Sequence, residues 1–468
     1  MPMKLWDESR LANNAIEMLQ NGNWLVPHFE GAPDMWNTKP PLLIWVQVIF
    51  MKILGCNELA LRLPSALAGL GTILLVFFFC KKILHNKTLG YIASLVLVTT
   101  SGYVTEHVTR TGDYDAFLIF WMTLSSFLIF IWANKEDSVE KNKLLYFIAI
   151  SFALAVLTKG IAGLMILPGV FIYLLLEKKL IPLLKNKHAY FAFFCFLFLA
   201  GGYYFLREQV NPGYLQAVWE NELGGRYLAP LEGNEKEFSF YFRKMFEGRF
   251  TPWLYFIPFS LLISFYEKGI NSKVVKILLC ISFFYLLVIS FSKTSLIWYD
   301  APVFPLLAIV VAVGIERLLE SIKYFMFTTI TKISLLTFLF LLAIFGQPYF
   351  SRISESYSVN KLWNVPEHLR YQEFMTQVSS PKEYTILLPS YNAPVRFYQK
   401  ANRNKDITIK QQHEFSTGVS HTFGKGELLF KKGETVMICE TSARNEFLKY
   451  YTYKVLQNWE SCELVVVE

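Results

Sequence analysis

Leu42-Leu-Ile-Trp-Val-Gln-Val-Ile-Phe-Met-Lys-Ile-Leu54 is an apolar run of 13 residues, and its reading decides the fold. A helix rises about 1.5 Å per residue, so a membrane crossing takes about 20 apolar residues. This run is too short for that, and Gln47 and Lys52 interrupt it. It fits an interfacial or re-entrant helix that does not cross. Longer apolar stretches follow near 60–80, 88–105, 114–133, 144–157, 161–177, 189–206, 252–266, 276–291, 300–316 and 324–347. If 42–54 stays on one face, five basic loops fall on one side. They carry Lys81, Lys82 and Lys87; Lys135, Lys141 and Lys143; Lys178, Lys179, Lys185 and Lys187; Lys268, Lys273 and Lys276; and Arg317 and Lys323. The excess of lysine and arginine makes that side cytoplasmic. Residues 1–41, 106–113, 207–251, 292–299 and the C-terminal part then collect outside. A crossing at 42–54 would separate 1–41 from the other long loops.

Composition agrees with a membrane bundle. Apolar residues make up 53% of the chain and charged residues 18%, against about 25% charged in an average soluble domain. The net charge of +8 sits mainly in the short loops, so topology accounts for it. With no basic stripe or recognition motif, nucleic acid is not an expected partner. Cys56, Cys80, Cys195 and Cys280 lie in or beside apolar segments and read as small hydrophobes. Cys439 and Cys462 lie in a polar region and could pair if it is extracytoplasmic; two free thiols are the expectation.

From about Ser351 the composition becomes that of a soluble domain. Strands are expected at 384–388, 435–439 and 464–467, and helices at 365–378 and 443–451. The division expected is therefore a membrane domain over 1–350 and a small extracytoplasmic α/β domain over 351–468. Within the first, 1–41 and 207–251 are the long outer loops. The opening Met-Pro-Met-Lys-Leu-Trp is no signal peptide, so an outside N-terminus either translocates as a short tail or follows a helix upstream of this sequence, and the upstream helix is the expectation.

The polar residues that could carry chemistry cluster in these outer segments. Asp7-Glu8-Ser9-Arg10 places two acids at a helix start, where they complement the helix dipole or serve a site. Lys39-Pro40-Pro41 fixes a lysine at the membrane interface, where it anchors to headgroups or binds a phosphate. Asp113-Tyr114-Asp115 sets two acids at the entry to a span, a costly position unless solvated or used. In 207–251, Arg226 could grip a phosphate bidentately or pair with Glu222 four residues earlier. Lys293 and Tyr299 precede the span at 300–316, where interfacial anchoring is the plain alternative. The seven histidines show no ligand spacing, and P-loop, GxGxxG, HExxH and GxSxG signatures are absent.

Taken in order, these residues resemble a known family. Asp7-Glu8-x-Arg10, Gly22-x-Trp24-Leu25-Val26-Pro27 and Lys39-Pro40-Pro41-Leu42 are similar to the first outer loop of the GT-C glycosyltransferases. The branch is that of the aminoarabinose transferases and protein O-mannosyltransferases. Arg62-Leu63-Pro64-Ser65-Ala66, Asp115-Ala116, Thr158-Lys159-Gly160 and Lys293…Tyr299-x-x-Pro302-x-x-Pro305 fit the same family. The resemblance implies an all-α polytopic bundle, with about ten spans here and eleven counting a helix before Asp7. It implies an inverting glycosyltransferase of a bacterial inner membrane with a periplasmic site. The donor would be a polyprenyl-phosphate sugar, and the acceptor a lipid such as lipid A, a glycan or a protein. It casts Asp7 as the general base, Asp115 as a second acid, and Arg10, Lys39, Arg226 and Tyr299 as donor-phosphate contacts. Glu8, Asp113 and Lys293 would support them. No cofactor is required and no metal ligands are assigned, though a divalent metal stays open. Thr38 stands where relatives often carry an acid, a departure that bears on donor or metal preference. The alternative function is a transporter or flippase for a lipid-linked sugar. Against it, the mid-span regions are almost free of charge and no inverted repeat appears.

Overall fold

A computed structural model describes residues 3–225, 236–325, 330–360, 366–378, 380–402, 406–411 and 430–468. It opens with helix α1 (Asp7–Asn21), whose first turn carries Asp7 and Glu8 and which ends at Gly22 in the left-handed conformation, φ +71°. A two-residue-strand hairpin follows, β1 (His28–Phe29) with β2 (Ala32–Pro33). The deciding run is helix α2 (Leu42–Leu54), which buries Leu43, Ile44, Val48 and Met51. Its Gln47 is fully buried and donates to the carbonyls of Leu61 (3.2 Å) and Gly112 (2.8 Å). The polar residue that argued against a crossing thus ties α2 to its neighbours.

Four helices follow: α3 (Glu58–Lys82), α4 (Lys87–Thr99), α5 (Asp115–Asn134) and α6 (Val139–Lys159). Side chains of Asn57, Asn86 and Ser138 cap α3, α4 and α6 by accepting from the backbone N–H of Ala60, Leu89 and Lys141. The cap at Ser138 starts α6 five residues ahead of the expected 144. Beyond α6 come Leu167–Leu176, Lys187–Val210, Trp253–Tyr266, Ile270–Ser290, Phe304–Phe325 and Ile330–Asn360. Each apolar stretch read from the sequence therefore meets a helix. The stretch 88–105 runs past its helix, which stops at Thr99 so that 100–114 can turn back as a loop.

Among the described residues, six helices are long and apolar enough to cross a membrane, and four apolar helices are shorter. Lys187–Val210 exposes Phe191, Phe193, Phe194, Phe198 and Phe205, an apolar surface suited to lipid rather than water. The chain is an integral membrane protein. Phe304–Phe325 is the hub, with Phe304, Ile309, Val310, Val311 and Ala312 fully buried.

The C-terminal region forms a five-stranded sheet of order β4-β3-β5-β7-β6. Its strands are β3 (Glu383–Leu388), β4 (Asp406–Gln411), β5 (Thr435–Ile438), β6 (Tyr453–Trp459) and β7 (Cys462–Val467). β4, β3 and β5 run parallel, and β7 is antiparallel to both β5 and β6. The expected strands and helices are all present, and β4, β6 and helix Ala393–Ala401 are additional. One expectation is corrected: Cys439 and Cys462 form a disulfide. Ile438 pairs with Glu463 in the β5–β7 ladder, so the next residues outward on the two strands face each other. Helix Ala393–Ala401 docks this region onto α1. Lys400 pairs with Glu17, Arg396 with Glu30, and Asn13 Nδ2 donates to the Ala393 carbonyl at 2.9 Å.

Candidate active site

Sequence order scatters the candidate residues, and the fold gathers them at one end of the bundle. The first turn of α1, the segment after the β1–β2 hairpin, loop 100–114 and the starts of α5 and of Ile297–Val303 converge there. They enclose a cavity of about 510 Å³. Asp7, Arg10, Lys39, Asp113, Asp115 and Tyr299 all line it, as do Trp6, Trp36, His107, Lys159, Trp298 and Tyr391. A smaller cavity of about 60 Å³ shares Lys39, Asp115, Lys159 and Tyr299. It continues between the apolar side chains of Leu118, Ile161, Ala162, Met165 and Ile289.

The carboxylates differ in how they are held. Glu8 is fully buried and takes both arms of Arg62, at 2.6 and 2.8 Å, plus backbone N–H bonds from Lys4 and Gly112. Burial alone would raise its pKa, but Arg62 and the two backbone donors hold it below the usual carboxylate range. Glu8 thus locks α1 to α3 and does not line the cavity. Asp115 heads α5 and accepts from Lys159 Nζ at 2.6 and 2.8 Å. Asp113 is buried; Thr111 Oγ1 donates to its Oδ2, and His107 Nδ1 lies 3.3 Å away. Burial pushes Asp113 up to about 6, against the pull of His107.

Asp7 is different. Its side chain is 59% exposed, and His107 Nδ1 lies 3.8 Å from its Oδ2. Among the acids lining the cavity it is the one with oxygens open to an incoming group.

The cations are also specific. Arg10 is bound bidentately by Asp34, at 2.8 and 2.6 Å, with its guanidinium 3.7 Å from the Phe29 ring centre. Burial opposes ionisation of Asp34, but the Arg10 fork holds it below its usual range. The fully buried Arg207 donates to the Asp34 carbonyl at 2.9 Å and fixes that turn. Lys39 Nζ lies 3.5 Å from Glu222 Oε1, which also accepts from Thr38 Oγ1 at 3.2 Å. Glu222 thus brings an acid beside the Lys-Pro-Pro lysine from a distant segment. Tyr299 stands with its ring 5.2 Å from Lys159 Nζ, and its carbonyl accepts from Tyr285 OH. Lys293 is exposed and does not line the cavity. Arg226 lies outside the described residues. No group of three or more His, Cys, Asp or Glu side chains is placed to hold a metal among the described residues.

Sequence reading missed Asp34, His107 and Tyr391. Asp34 sits alone after a hairpin, and Tyr391 arrives from the C-terminal region across the whole chain. His107 carried one signal: it lies six residues before Asp113 in the same short loop.

The chain is thus an apolar helical bundle with a charged cavity at one end, beside a smaller and more apolar one. Residues 38–203 match the family described as dolichyl-phosphate-mannose-protein mannosyltransferase. The fold is that of ArnT from Cupriavidus metallidurans, solved with undecaprenyl phosphate bound. The TM-score is 0.71 at 15% identity, covering 100% of this chain and 94% of that one. A curated relative, the undecaprenyl phosphate-alpha-4-amino-4-deoxy-L-arabinose arabinosyl transferase of Wigglesworthia glossinidia brevipalpis, is 28% identical over 67% of this chain and 55% of its own. An uncharacterized protein of Aquifex aeolicus is 29% identical over 65% of this chain and 58% of its own. The chain spans little more than half the length of these curated relatives. The resemblance read from the motifs stands: the chain is similar to GT-C glycosyltransferases of the aminoarabinose-transferase and mannosyltransferase type.

Proposed function

We propose that this protein is an inverting glycosyltransferase that takes a sugar from a polyprenyl-phosphate donor, at the membrane face away from the basic loops. One observation carries the reading: Asp7, Lys39 and Asp115 line a single cavity, and Lys39 and Asp115 also line the apolar one beside it. An acid open to an acceptor and a cation suited to a phosphate therefore stand together where a lipid chain can approach. The relatives named for undecaprenyl-phosphate sugars support that donor class.

In this reading an acceptor hydroxyl enters the larger cavity and gives its proton to Asp7, the general base. Its oxygen bonds to the anomeric carbon as the bond to the phosphate breaks, and the electron pair leaves with polyprenyl phosphate. Lys39 and Lys159 stand beside the developing charge in a partly dry site, where fixed cations act strongly. Arg10 is committed to Asp34 and serves to hold the hairpin turn against α1. A single displacement inverts the anomeric centre. The membrane domain spans 1–350 with about ten crossings, and the C-terminal α/β domain lies periplasmic in a bacterial inner membrane.

The test is transfer of radiolabelled sugar from an undecaprenyl-phosphate donor in proteoliposomes. Asp7→Asn should abolish transfer while leaving expression and detergent melting intact. Full transfer by that variant would remove Asp7 from the base role.

A further inference from the structure

We propose that His107 is a positioning residue of this site: its imidazole, held flat against Trp298, orients the Asp7 carboxylate through Nδ1 and shares a proton with Asp113. The inference rests on the reading of Asp7 as base.

Four observations carry it. The imidazole lines the cavity and stacks on Trp298 with ring centres 3.8 Å apart and planes 13° from parallel. That stack fixes the ring plane. Nδ1 then points between two carboxylates, 3.8 Å from Asp7 Oδ2 and 3.3 Å from Asp113 Oδ2. His107 also holds φ at +60°, in the left-handed region that non-glycine residues seldom adopt. Its backbone N–H donates to Thr111 Oγ1 at 2.8 Å, and that hydroxyl in turn donates to Asp113. The loop is therefore folded to aim this one side chain, and uncommon backbone held by its surroundings is a feature of functional sites. Finally, neither His107 Nδ1 nor Asp113 Oδ1 completes a hydrogen bond among the described residues. Buried polar atoms left this way cost stability unless a proton or ligand serves them.

The other charges nearby are already engaged. Glu106 on the same loop pairs with Lys4, Glu8 of α1 with Arg62, and Asp115 of α5 with Lys159 of α6. Tyr299, beside Trp298, lies against Lys159. Arg110 also lies on this loop, and Asp7 and Asp113 are the carboxylates that stand at 3.8 and 3.3 Å from the imidazole Nδ1. Burial disfavours the imidazolium, but the Asp113 carboxylate, with Asp7 and Asp115 behind it, lifts His107 above its ordinary range. In the transfer step the acceptor proton passes to Asp7. The His107–Asp113 pair provides the next site for that proton on its way to water, which returns Asp7 to its ionised form.

The titration can be read without any substrate. Diethyl pyrocarbonate modifies neutral imidazole, so the pH dependence of modification at His107, followed by mass spectrometry on the full chain in micelles, reports its protonation. The midpoint should lie above the ordinary imidazole value in the wild type and move down in Asp113→Asn, where the facing carboxylate is gone. A midpoint unmoved by Asp113→Asn would overturn the inference. In transfer assays with undecaprenyl-phosphate 4-amino-4-deoxy-L-arabinose as donor and bacterial envelope lipid as acceptor, His107→Gln and the stack-preserving His107→Phe should lower kcat about 10- to 100-fold. Donor KM should stay within about threefold, and the acid limb of the kcat profile should shift while persisting, because Asp7 is still present. A fully active His107→Gln beside an inactive Asp7→Asn would overturn the inference alone. Full transfer by Asp7→Asn would overturn the base reading and the positioning role with it.

Discussion

Replacing Lys159 by methionine should destabilise the protein by about 2–4 kcal/mol, and replacing Asp115 as well should return most of that loss. Lys159 Nζ sits 2.6 and 2.8 Å from the two Asp115 oxygens, and the side chains are 11% and 5% exposed. Removing one partner of a buried pair costs about 3–5 kcal/mol, because the other charge is left without compensation. Asp115 is the first residue of α5, and a helix N-terminus supports a carboxylate by about 0.3–1 kcal/mol. That residual support sets the lower figure. The reverse change, Asp115→Asn, leaves Lys159 over the Tyr299 ring, a contact worth about 0.5–2 kcal/mol. In Lys159→Met/Asp115→Asn no charge is stranded, so the coupling energy should be about 2–3 kcal/mol. Detergent unfolding of the wild type, both single variants and the double variant measures it. Losses that simply add, with coupling below about 0.5 kcal/mol, would refute the claim that the pair acts as one buried unit.

Lys39→Met should raise the donor KM about 10- to 100-fold with a smaller change in kcat, since a charge-assisted phosphate contact contributes about 1.5–3 kcal/mol; donor titration in proteoliposomes checks this. Asp113 and His107 both titrate higher in the folded protein than free in water. Each therefore adds stability at low pH that is lost as pH rises through its folded value, near 6 for Asp113. The wild type should lose melting temperature relative to Asp113→Asn between pH 5 and 7.5; parallel curves would show that Asp113 is not charged at a cost. Reducing the Cys439–Cys462 disulfide, which spans 23 residues, should lower the stability of the C-terminal region by about 3 kcal/mol. Limited proteolysis with and without reductant reads it, and equal cleavage rates would count against it.

The membrane helices were legible because they are apolar runs, most of them long, separated on one side by basic loops. Asp7, Arg10, Lys39, Asp115 and Tyr299 were legible because each sits in a short motif beside such a boundary. What escaped were residues whose importance lies in a partner far along the chain. Nothing around Asp34 announces that it binds Arg10, 24 positions earlier. Glu222 reaches Thr38 across 184 positions. Lys159 was visible as part of Thr158-Lys159-Gly160, but its counter-ion was not. The sheet shows the same limit. β3, β5 and β7 have buried apolar faces, whereas β6, Tyr-Lys-Val-Leu-Gln-Asn-Trp, is a largely exposed edge without a clear alternation. The disulfide depended on the β5–β7 register, which spacing in the sequence does not supply.

Helix α1 carries the open acid, yet it belongs to two bodies. Glu8 bolts it to the membrane bundle through Arg62, while Asn13, Glu17 and the Ala393–Ala401 helix bolt it to the sheet. Met3 N–H adds a bond to Gln372 on the same side. Cutting the chain near residue 350 would strip the partners from one whole flank of α1 and open the wall that Tyr391 closes. The C-terminal region is therefore no removable appendage but the second jaw of a vice, and a minimal intact cavity has to keep both.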